Sequence, residues 1–354
     1  MKKLLLASAV AALSITAAQA APTIYGKAFL TLDAKDGDSG ATAHNSRSQL
    51  NSIGSRIGFK GSEALTANTD LVYQLEYGIK VDAEDGENNF KARDTYLGLA
   101  HKQYGTAVAG RLSAIDDYIN YVTVASGGVV GGDDTLASYT GPRANNAIAY
   151  FSPSFQGAQV MAMYALDEIK EGTDTVKNDS LGRDAWGLGV KYEPTTLPVK
   201  AGITYIQAGA DEKNAAVLDK MLRVSGAYAI NPAITVAAQY QLTEGYATNS
   251  TTKAKLTSAG KHKENTYTVS GSYKVGQTPW TAYSQLDYVT NADFIKDKKE
   301  ERIVIGGKYA FNQNTTGHIY SGYLKEKNTE HATEKGVKGN YDSYGIGAGI
   351  EYKF

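Results

Sequence analysis

The sequence is poor in several residue types that define common protein classes. Its 354 residues include no cysteine, two tryptophans and seven prolines. The absence of cysteine excludes disulfide and thiolate chemistry, and it suits export to an oxidising compartment, where stray thiols would pair. Beyond the N-terminus no run of 18 apolar residues occurs, so transmembrane helices are not expected. The net charge of -1 gives no support for a nucleic-acid partner.

The first twenty residues are organised like a secretory signal peptide. Met1-Lys2-Lys3 is a positive start, and Leu4–Leu13 is an apolar stretch too short to span a bilayer as an anchor. Ala18-Gln19-Ala20 fits the small-x-small cleavage pattern, so we expect cleavage after Ala20 and a mature domain of residues 21–354. Losing Lys2 and Lys3 leaves 34 basic against 37 acidic residues, a net charge of -3.

Glycine and tyrosine are abundant, at 37 and 25 residues. Such chains fit outer-membrane barrels, whose aromatic girdles lie at both membrane interfaces. The last eleven residues alternate strictly, with Gly345, Gly347, Gly349, Glu351 and Lys353 between apolar or aromatic neighbours. Since successive side chains of a strand point to opposite faces, this strand has one apolar and one polar face. In a closed barrel it would pair with the first strand and leave no free edge.

Period-two alternation recurs along the whole chain. We predict sixteen strands: Thr23–Ala34, Arg47–Gly61, Thr69–Val81, Phe90–Ala100, Gly105–Arg111, Arg143–Phe151, Gln159–Leu166, Asp184–Tyr192, Val199–Gln207, Leu222–Ile230, Ala233–Leu242, Asn265–Val275, Trp280–Val289, Arg302–Phe311, Thr316–Lys325 and Tyr341–Phe354. Their connections alternate between short turns and long polar loops, which a soluble β-sandwich has no reason to do. The sequence therefore predicts an all-β, sixteen-stranded antiparallel transmembrane β-barrel with periplasmic turns and external loops.

The third long connection, Leu112–Pro142, is the longest. It carries four carboxylates and a glycine-rich run at residues 127–132; the carboxylates are Asp116, Asp117, Asp133 and Asp134. A sixteen-stranded barrel encloses an aqueous lumen. A loop of this length can cap that lumen or fold into it, and we predict that it folds in.

A set of basic residues is predicted to face the loop carboxylates. Alternation turns Lys27, Arg56 and Arg93 inward on the first, second and fourth strands, and Arg143 begins the sixth. A basic wall opposite an acidic loop would create a transverse field that sorts solutes by charge. The alternative is a set of scattered solvated charges, because alternation fixes facing but not depth.

Several motifs resemble the general porins of Gram-negative outer membranes. They are Ile24-Tyr25-Gly26-Lys27-Ala28, Ser55-Arg56-Ile57-Gly58-Phe59-Lys60-Gly61-Ser62-Glu63, Tyr96-Leu97-Gly98-Leu99, Ala109-Gly110-Arg111, Gly131-Gly132-Asp133, Arg143 with Ala149-Tyr150, and Tyr352-Lys353-Phe354. The likeness is densest over residues 24–165 and implies that Lys27, Arg56, Arg93 and Arg143 line the constriction.

The resemblance also implies partners and a location. A general porin is a homotrimer in the Gram-negative outer membrane, in contact with lipid and lipopolysaccharide, and it passes small ions and hydrophilic solutes without a cofactor. The second loop, Asp82–Asn89, would latch onto a neighbouring subunit. Phe354 is similar to the terminal signal read by the barrel-assembly machinery.

One departure from the family pattern concerns charge. Some members carry Pro-Glu-Phe-Gly-Gly at the tip of the third loop, whereas this chain has Gly128-Val129-Val130-Gly131-Gly132. Val129 therefore replaces the glutamate, and the carboxylates must come from the four loop aspartates. We expect a weak anion preference.

Other functions remain open on the residues alone. A phosphate-specific channel should show a denser ring of Arg and Lys, and a sugar channel an ordered slide of tyrosines. Barrel enzymes usually have fewer strands. Gly37-Asp38-Ser39-Gly40 is accounted for by a flexible polar turn, and the five histidines have no metal-ligand spacing. We therefore predict no catalytic residue, no metal site and no cofactor.

Overall fold

In the computed structural model, seventeen hydrogen-bonded segments form one antiparallel sheet. The structure describes residues 21–38, 46–82, 89–166, 184–209, 217–247, 260–330 and 338–354. The proposed signal peptide and most of the second loop therefore lie outside the described residues. Two segments, Arg47–Ser52 and Arg56–Ala64, both pair with the first strand and are halves of one strand, which gives the sixteen predicted.

The strands follow one another around the barrel in chain order. They are β1 Thr23–Gly37, β2 Arg47–Ser52 with Arg56–Ala64, β3 Thr69–Ile79, β4 Phe90–His101, β5 Gly105–Ser113, β6 Arg143–Phe151, β7 Ala158–Ala165, β8 Ala185–Tyr192, β9 Val199–Gln207, β10 Leu218–Ala229, β11 Ile234–Tyr246, β12 Lys261–Lys274, β13 Trp280–Thr290, β14 Lys299–Ala310, β15 Thr315–Glu330 and β16 Lys338–Lys353.

The last strand closes the barrel, as predicted. β16 pairs antiparallel with β1 from Lys27↔Lys353 to Gly37↔Ser343. The end of the chain continues the ladder, because Gly26 and Phe354 exchange N–H···O bonds of 2.9 and 3.2 Å. This pairing removes the two free edges that an open sheet would expose.

The break in β2 was not predicted. Gly54 has a left-handed φ of +58°, a conformation that glycine adopts without a Cβ penalty. The Ser55 hydroxyl accepts the Phe29 N–H at 3.0 Å, and the Ile53 N–H donates to the Phe29 carbonyl at 3.0 Å. The Ser55 side chain thus satisfies a donor of β1 that an unbroken ladder would have paired.

The two faces of the barrel are opposite in character to those of a soluble protein. Outward side chains such as Leu32, Ile305 and Ile346 are apolar and more than half exposed. Inward neighbours such as Asp33 and Gln285 are polar and buried. An apolar exterior around a polar interior is the pattern of a barrel whose solvent is lipid.

One part of the inner wall departs from this polarity. Inward residues of β6 to β9 form an inner apolar patch of buried side chains: Ala147, Ala149, Phe151, Met161, Met163, Ala185 and Ile206. Ile115 and Ile119, from the connection between β5 and β6, belong to the same cluster and are fully buried. We call that connection, residues 114–142, loop 3.

Some strands are longer than predicted at their long-loop ends. β11 reaches Tyr246 instead of Leu242, and β15 reaches Glu330 instead of Lys325. Hydrophobic alternation fades there, but backbone pairing does not depend on side-chain polarity and continues beyond the apolar belt. Within the described ranges, no helix has the length and apolarity needed to cross a membrane.

Candidate pore constriction

The first part of loop 3 is held by apolar packing. Ile115–Ile119 forms a short 3-10 turn whose isoleucines fit against glycines of the wall. A Cβ at Gly202 would lie 2.3 Å from the Ile119 side chain, and one at Gly187 would lie 2.9 Å from Ile115. Since real contacts are never this short, glycine at these positions is what allows the turn to approach the wall.

Asp116 lies in the same turn and is fully buried. The Arg223 guanidinium is 3.0 Å from its carboxylate, and both side chains are at most 1% exposed. Arg223 also donates to the Asp116 carbonyl at 3.0 Å, while the Gly141 N–H donates to the carboxylate at 2.9 Å. Asp116 therefore links the two ends of loop 3 to β10 and has no surface to offer a solute.

The tip of loop 3 is held by Arg302 of β14. Its guanidinium donates to three tip carbonyls, those of Val130 at 3.2 Å, Gly131, and Asp134 at 2.5 Å. The same guanidinium donates twice to the Asp287 carboxylate, at 2.8 and 3.0 Å. Both charged side chains are buried, so this fork joins an ion pair to the backbone of the tip.

The return of loop 3 is held by polar bonds as well. Glu264 accepts the Ser138 N–H at 2.9 Å, the Ser138 hydroxyl, and the Asp293 N–H at 3.0 Å. The Asp134 carboxylate accepts the Thr135 N–H at 2.7 Å and the Thr140 hydroxyl at 2.8 Å. Asp134, like Asp116, is thus occupied by bonds within the protein.

Three of the predicted basic residues are adjacent on the wall. Lys27 and Arg56 are register partners across β1 and β2. The Nε atoms of Arg56 and Arg93 lie 3.5 and 2.5 Å from the two oxygens of Glu76, so one carboxylate serves two arginines. The Tyr25 hydroxyl donates to the same carboxylate at 3.0 Å.

Arg143 stands apart from these three and has its own carboxylate. Its Nε donates to Asp94 at 2.9 Å, and Asp94 also accepts the Ser113 hydroxyl at 2.9 Å. Lys27 is 3.9 Å from Glu351. Sequence reasoning missed these partners, although Glu76 lies on the polar face of β3 at even spacing from Gln74, which was a usable signal.

The other two loop aspartates are exposed to water. Asp117 lies in a space crowded by protein atoms, and this partial loss of hydration, with the nearby Asp116 charge, raises its pKa to about 6. The same crowding and the Asp134 charge raise the pKa of Asp133, against the charges of Arg302 and Lys27. Of the four aspartates, Asp117 and Asp133 are the two whose side chains remain exposed to water.

Comparison with known proteins identifies the family. The family model described as Gram-negative porin matches residues 6–331. The chain belongs to the Gram-negative porin family. The outer membrane porin protein 32 of Delftia acidovorans is 28% identical over the full length of both chains. This porin is thus an outer-membrane channel for passive diffusion, not an enzyme.

Solved structures agree with the fold. An anion-selective porin from Comamonas acidovorans superimposes with a TM-score of 0.70 at 23% identity, covering 94% of this chain and 99% of that one. The trimer form of OmpT, an outer membrane protein of Vibrio cholerae, gives a TM-score of 0.63 at 19% identity, covering 94% and 99%. At these identities the likeness concerns the fold alone.

Proposed function

We propose that this porin passes small ions and hydrophilic solutes with a weak preference for anions, through a constriction between the basic wall and loop 3. The observation that supports a preference for anions is that the paired basic and acidic side chains are unequally exposed. Arg56 and Arg93 are 31% and 26% exposed, whereas the Glu76 carboxylate they share is 10% exposed. A passing ion therefore meets the guanidinium groups before the carboxylate.

Loop 3 presents less negative charge to the lumen than its four aspartates would suggest. Asp116 and Asp134 are engaged in contacts within the protein, and the Asp117 pKa of about 6 reduces the negative charge of that residue in mildly acidic water. The pKa of Asp133 is raised in the same direction by crowding from protein atoms. The anion selectivity named for the Comamonas structure, which has the same fold, supports the same sign.

Loop 3 lies inside the lumen in this proposal. It contacts inward residues of the wall, apolar ones around Ile115 and polar ones such as Arg302 and Glu264. A loop that capped the mouth would not reach these side chains. Lys27, Arg56, Arg93 and Arg143 then form the basic side, and Asp117 and Asp133 the accessible acidic side.

The proposal includes processing and assembly. The signal peptide is removed after Ala20, and the barrel of residues 21–354 assembles as a homotrimer, as the trimer form of the Vibrio structure supports. The second loop, Asp82–Asn89, contacts a neighbouring subunit. Phe354 is the terminal signal that the barrel-assembly machinery recognises. The apolar exterior contacts lipid and lipopolysaccharide.

Planar-bilayer recording of the purified porin under a potassium chloride gradient tests this function. We expect conductance steps that close in threes and a small reversal potential of anionic sign. A reversal potential of cationic sign would contradict the proposed anion preference, but the channel function would still stand. Absence of conductance from a folded, heat-modifiable barrel would contradict the channel itself.

A further inference from the structure

Three lysines lie on the outer surface of the barrel, where β14 and β15 meet their long loops. Lys299 and Lys327 are register partners across these strands, and Lys325 lies two residues before Lys327. All three point outward, because each is an even number of residues from an exposed outward side chain, Ile303 on β14 or Tyr323 on β15. We call Lys299, Lys325 and Lys327 the lysine face.

The lysine face lies directly beyond a row of outward tyrosines. Tyr288 and Tyr323 are the register partners of Glu301 and Ile303, which follow Lys299 on β14 by two and four residues. Both tyrosines and Ile303 are exposed on the outside of the barrel. Aromatic girdles of membrane barrels lie at the level of the lipid headgroups. The side chains one step beyond the tyrosines therefore lie among the headgroups, on the side of the long loops.

Positive charge on the lysine face exceeds the negative charge beside it. Lys327 forms an ion pair with Glu301. Among the described residues, Lys299 and Lys325 have no carboxylate at ion-pair distance, although Asp342 is the register partner of Lys325. Lys299 is directly opposite Lys327, and like charges in that position destabilise a sheet. An anion bound between these lysines would relieve the repulsion.

A phosphorylated lipid matches both the charged and the apolar part of this surface. Its phosphate has several acceptor oxygens, and each lysine ammonium offers three donors for charge-assisted hydrogen bonds. Its acyl chains are apolar and match the exposed isoleucines on the membrane side of the tyrosines, which are Ile303, Ile305 and Ile319. A soluble anion matches the lysines alone, because it would leave these isoleucines uncovered.

We propose that the lysine face binds the phosphate of an outer-leaflet lipid whose acyl chains lie against the isoleucines of β14 and β15. Lys299 and Lys325 hold the phosphate by charge-assisted hydrogen bonds, and Lys327 adds a third positive charge. The inference rests on the proposed function, which places the long loops outside and lipopolysaccharide against the exterior. It assigns that lipid contact a position on the barrel and names the charges that fix it there.

Diphosphoryl lipid A is the probe, added to the purified porin in detergent and counted on the protein by native mass spectrometry. Lys299→Gln/Lys325→Gln keeps the Lys327–Glu301 pair and should raise the apparent dissociation constant by about five-fold for each lysine removed. Lys299→Arg/Lys325→Arg, which keeps charge and donors, should stay close to the native value. Equal binding by the native porin and the glutamine variant would overturn the site. Displacement of lipid A by an equal concentration of inorganic phosphate would overturn the lipid as its occupant.

Lys220→Gln is the matched control for the single variant Lys299→Gln. Lys220 is also exposed at the long-loop end of its strand, β10, but its ammonium lies 3.2 Å from the Glu244 carboxylate. Native binding of lipid A by Lys220→Gln would support the site, whereas an equal loss in the two variants would overturn it, because the effect would then come from diffuse charge.

Conductance separates this inference from the proposed function. The lysine face lies outside the lumen, so the glutamine variants should fold to a heat-modifiable barrel with native chloride conductance. Native conductance without selective loss of lipid A would overturn the site and leave the porin function standing. A strong loss of conductance in the folded glutamine variant would also overturn the site, because the lysines would then act on the lumen.

Discussion

The two halves of loop 3 are fastened to the barrel by different sets of contacts. Residues 115–119 rest on the inner apolar patch, where Ile115 and Ile119 are fully buried, and the Arg223–Asp116 pair holds the same turn as a second anchor. Residues 130–138 are held by directed polar bonds from Arg302 and to Glu264. Apolar packing is spread over many weak contacts, whereas a buried arginine fork concentrates its stabilisation in one side chain. The first half should therefore tolerate single changes that release the second.

The largest expected effect is that of Arg302→Met. It removes the donor to three tip carbonyls and leaves the Asp287 carboxylate buried without a cation, a loss on the order of 3–5 kcal/mol. We expect a lower unfolding temperature in detergent and strong current noise from a released tip. The double variant Arg302→Met/Asp287→Asn should recover stability but stay noisy. A quiet single variant would contradict the role of the fork.

Ile119→Ala should lower stability by a comparable or smaller amount without releasing the loop. Truncating a buried isoleucine costs about 2–5 kcal/mol, but the neighbouring contacts of Ile115 and the Arg223–Asp116 pair remain. The unfolding temperature should fall while the current noise stays close to native. Ile115→Val, at about 0.5–1.5 kcal/mol, is the graded control. Noise equal to that of Arg302→Met would remove the distinction between the two halves.

Selectivity should respond to the wall more than to the anchors. Replacing Arg56 and Arg93 by glutamine leaves Glu76 without its arginine partners, so two positive charges vanish and a carboxylate is unmasked. One unit charge at 4 Å in water contributes ~1 kcal/mol, and we expect the chloride-to-potassium permeability ratio to fall by about five-fold or more. Adding Glu76→Gln should restore part of the ratio. An unchanged ratio in the double variant would contradict the constriction assignment.

The smallest expected effect is a pH dependence from Asp117. Its pKa of about 6 lies above the ordinary value, so the fold favours the protonated form. The stability associated with that proton is complete below the ordinary pKa of 3.8 and is lost as pH rises through about 6. As pH falls from 7 to 5, Asp117 loses its negative charge and anion preference should rise slightly. Asp117→Asn should flatten the dependence of the chloride-to-potassium permeability ratio on pH between 7 and 5. An unchanged slope in that variant would show that another group causes the pH dependence.

The sequence predicted the barrel because alternation is a local property of the backbone. Each segment from Thr23 to Phe354 carries its own apolar and polar faces, and their number and loop parity fix the architecture. It also placed Lys27, Arg56 and Arg93 on the inner face. The break at Gly54 escaped prediction because it depends on the Ser55 side chain replacing a ladder bond of another strand.

The sequence could not predict which loop aspartates are paired within the protein and which face water. Asp116 and Asp117 are neighbours of the same type, yet one is paired with Arg223 and the other faces water. Arg223 and Arg302 are more than 100 residues away in sequence from the loop 3 atoms that they bind. A local sequence pattern therefore cannot predict these contacts. Val129, which replaces a carboxylate at the tip, is buried against β16, where a Cβ at Gly345 would lie 2.7 Å from it.

The position of the loop tip inside the lumen is tested most directly by a disulfide. A Cβ at Gly322 of β15 would lie 2.4 Å from the Val130 side chain, and the chain has no cysteine of its own. Val130→Cys/Gly322→Cys should therefore form a bond under mild oxidation in the folded porin, while neither single variant does. We expect the same conductance before and after reduction, because the tip already rests there. Failure to form the bond, or a conductance that changes when it forms, would contradict the position of loop 3 on which this account depends.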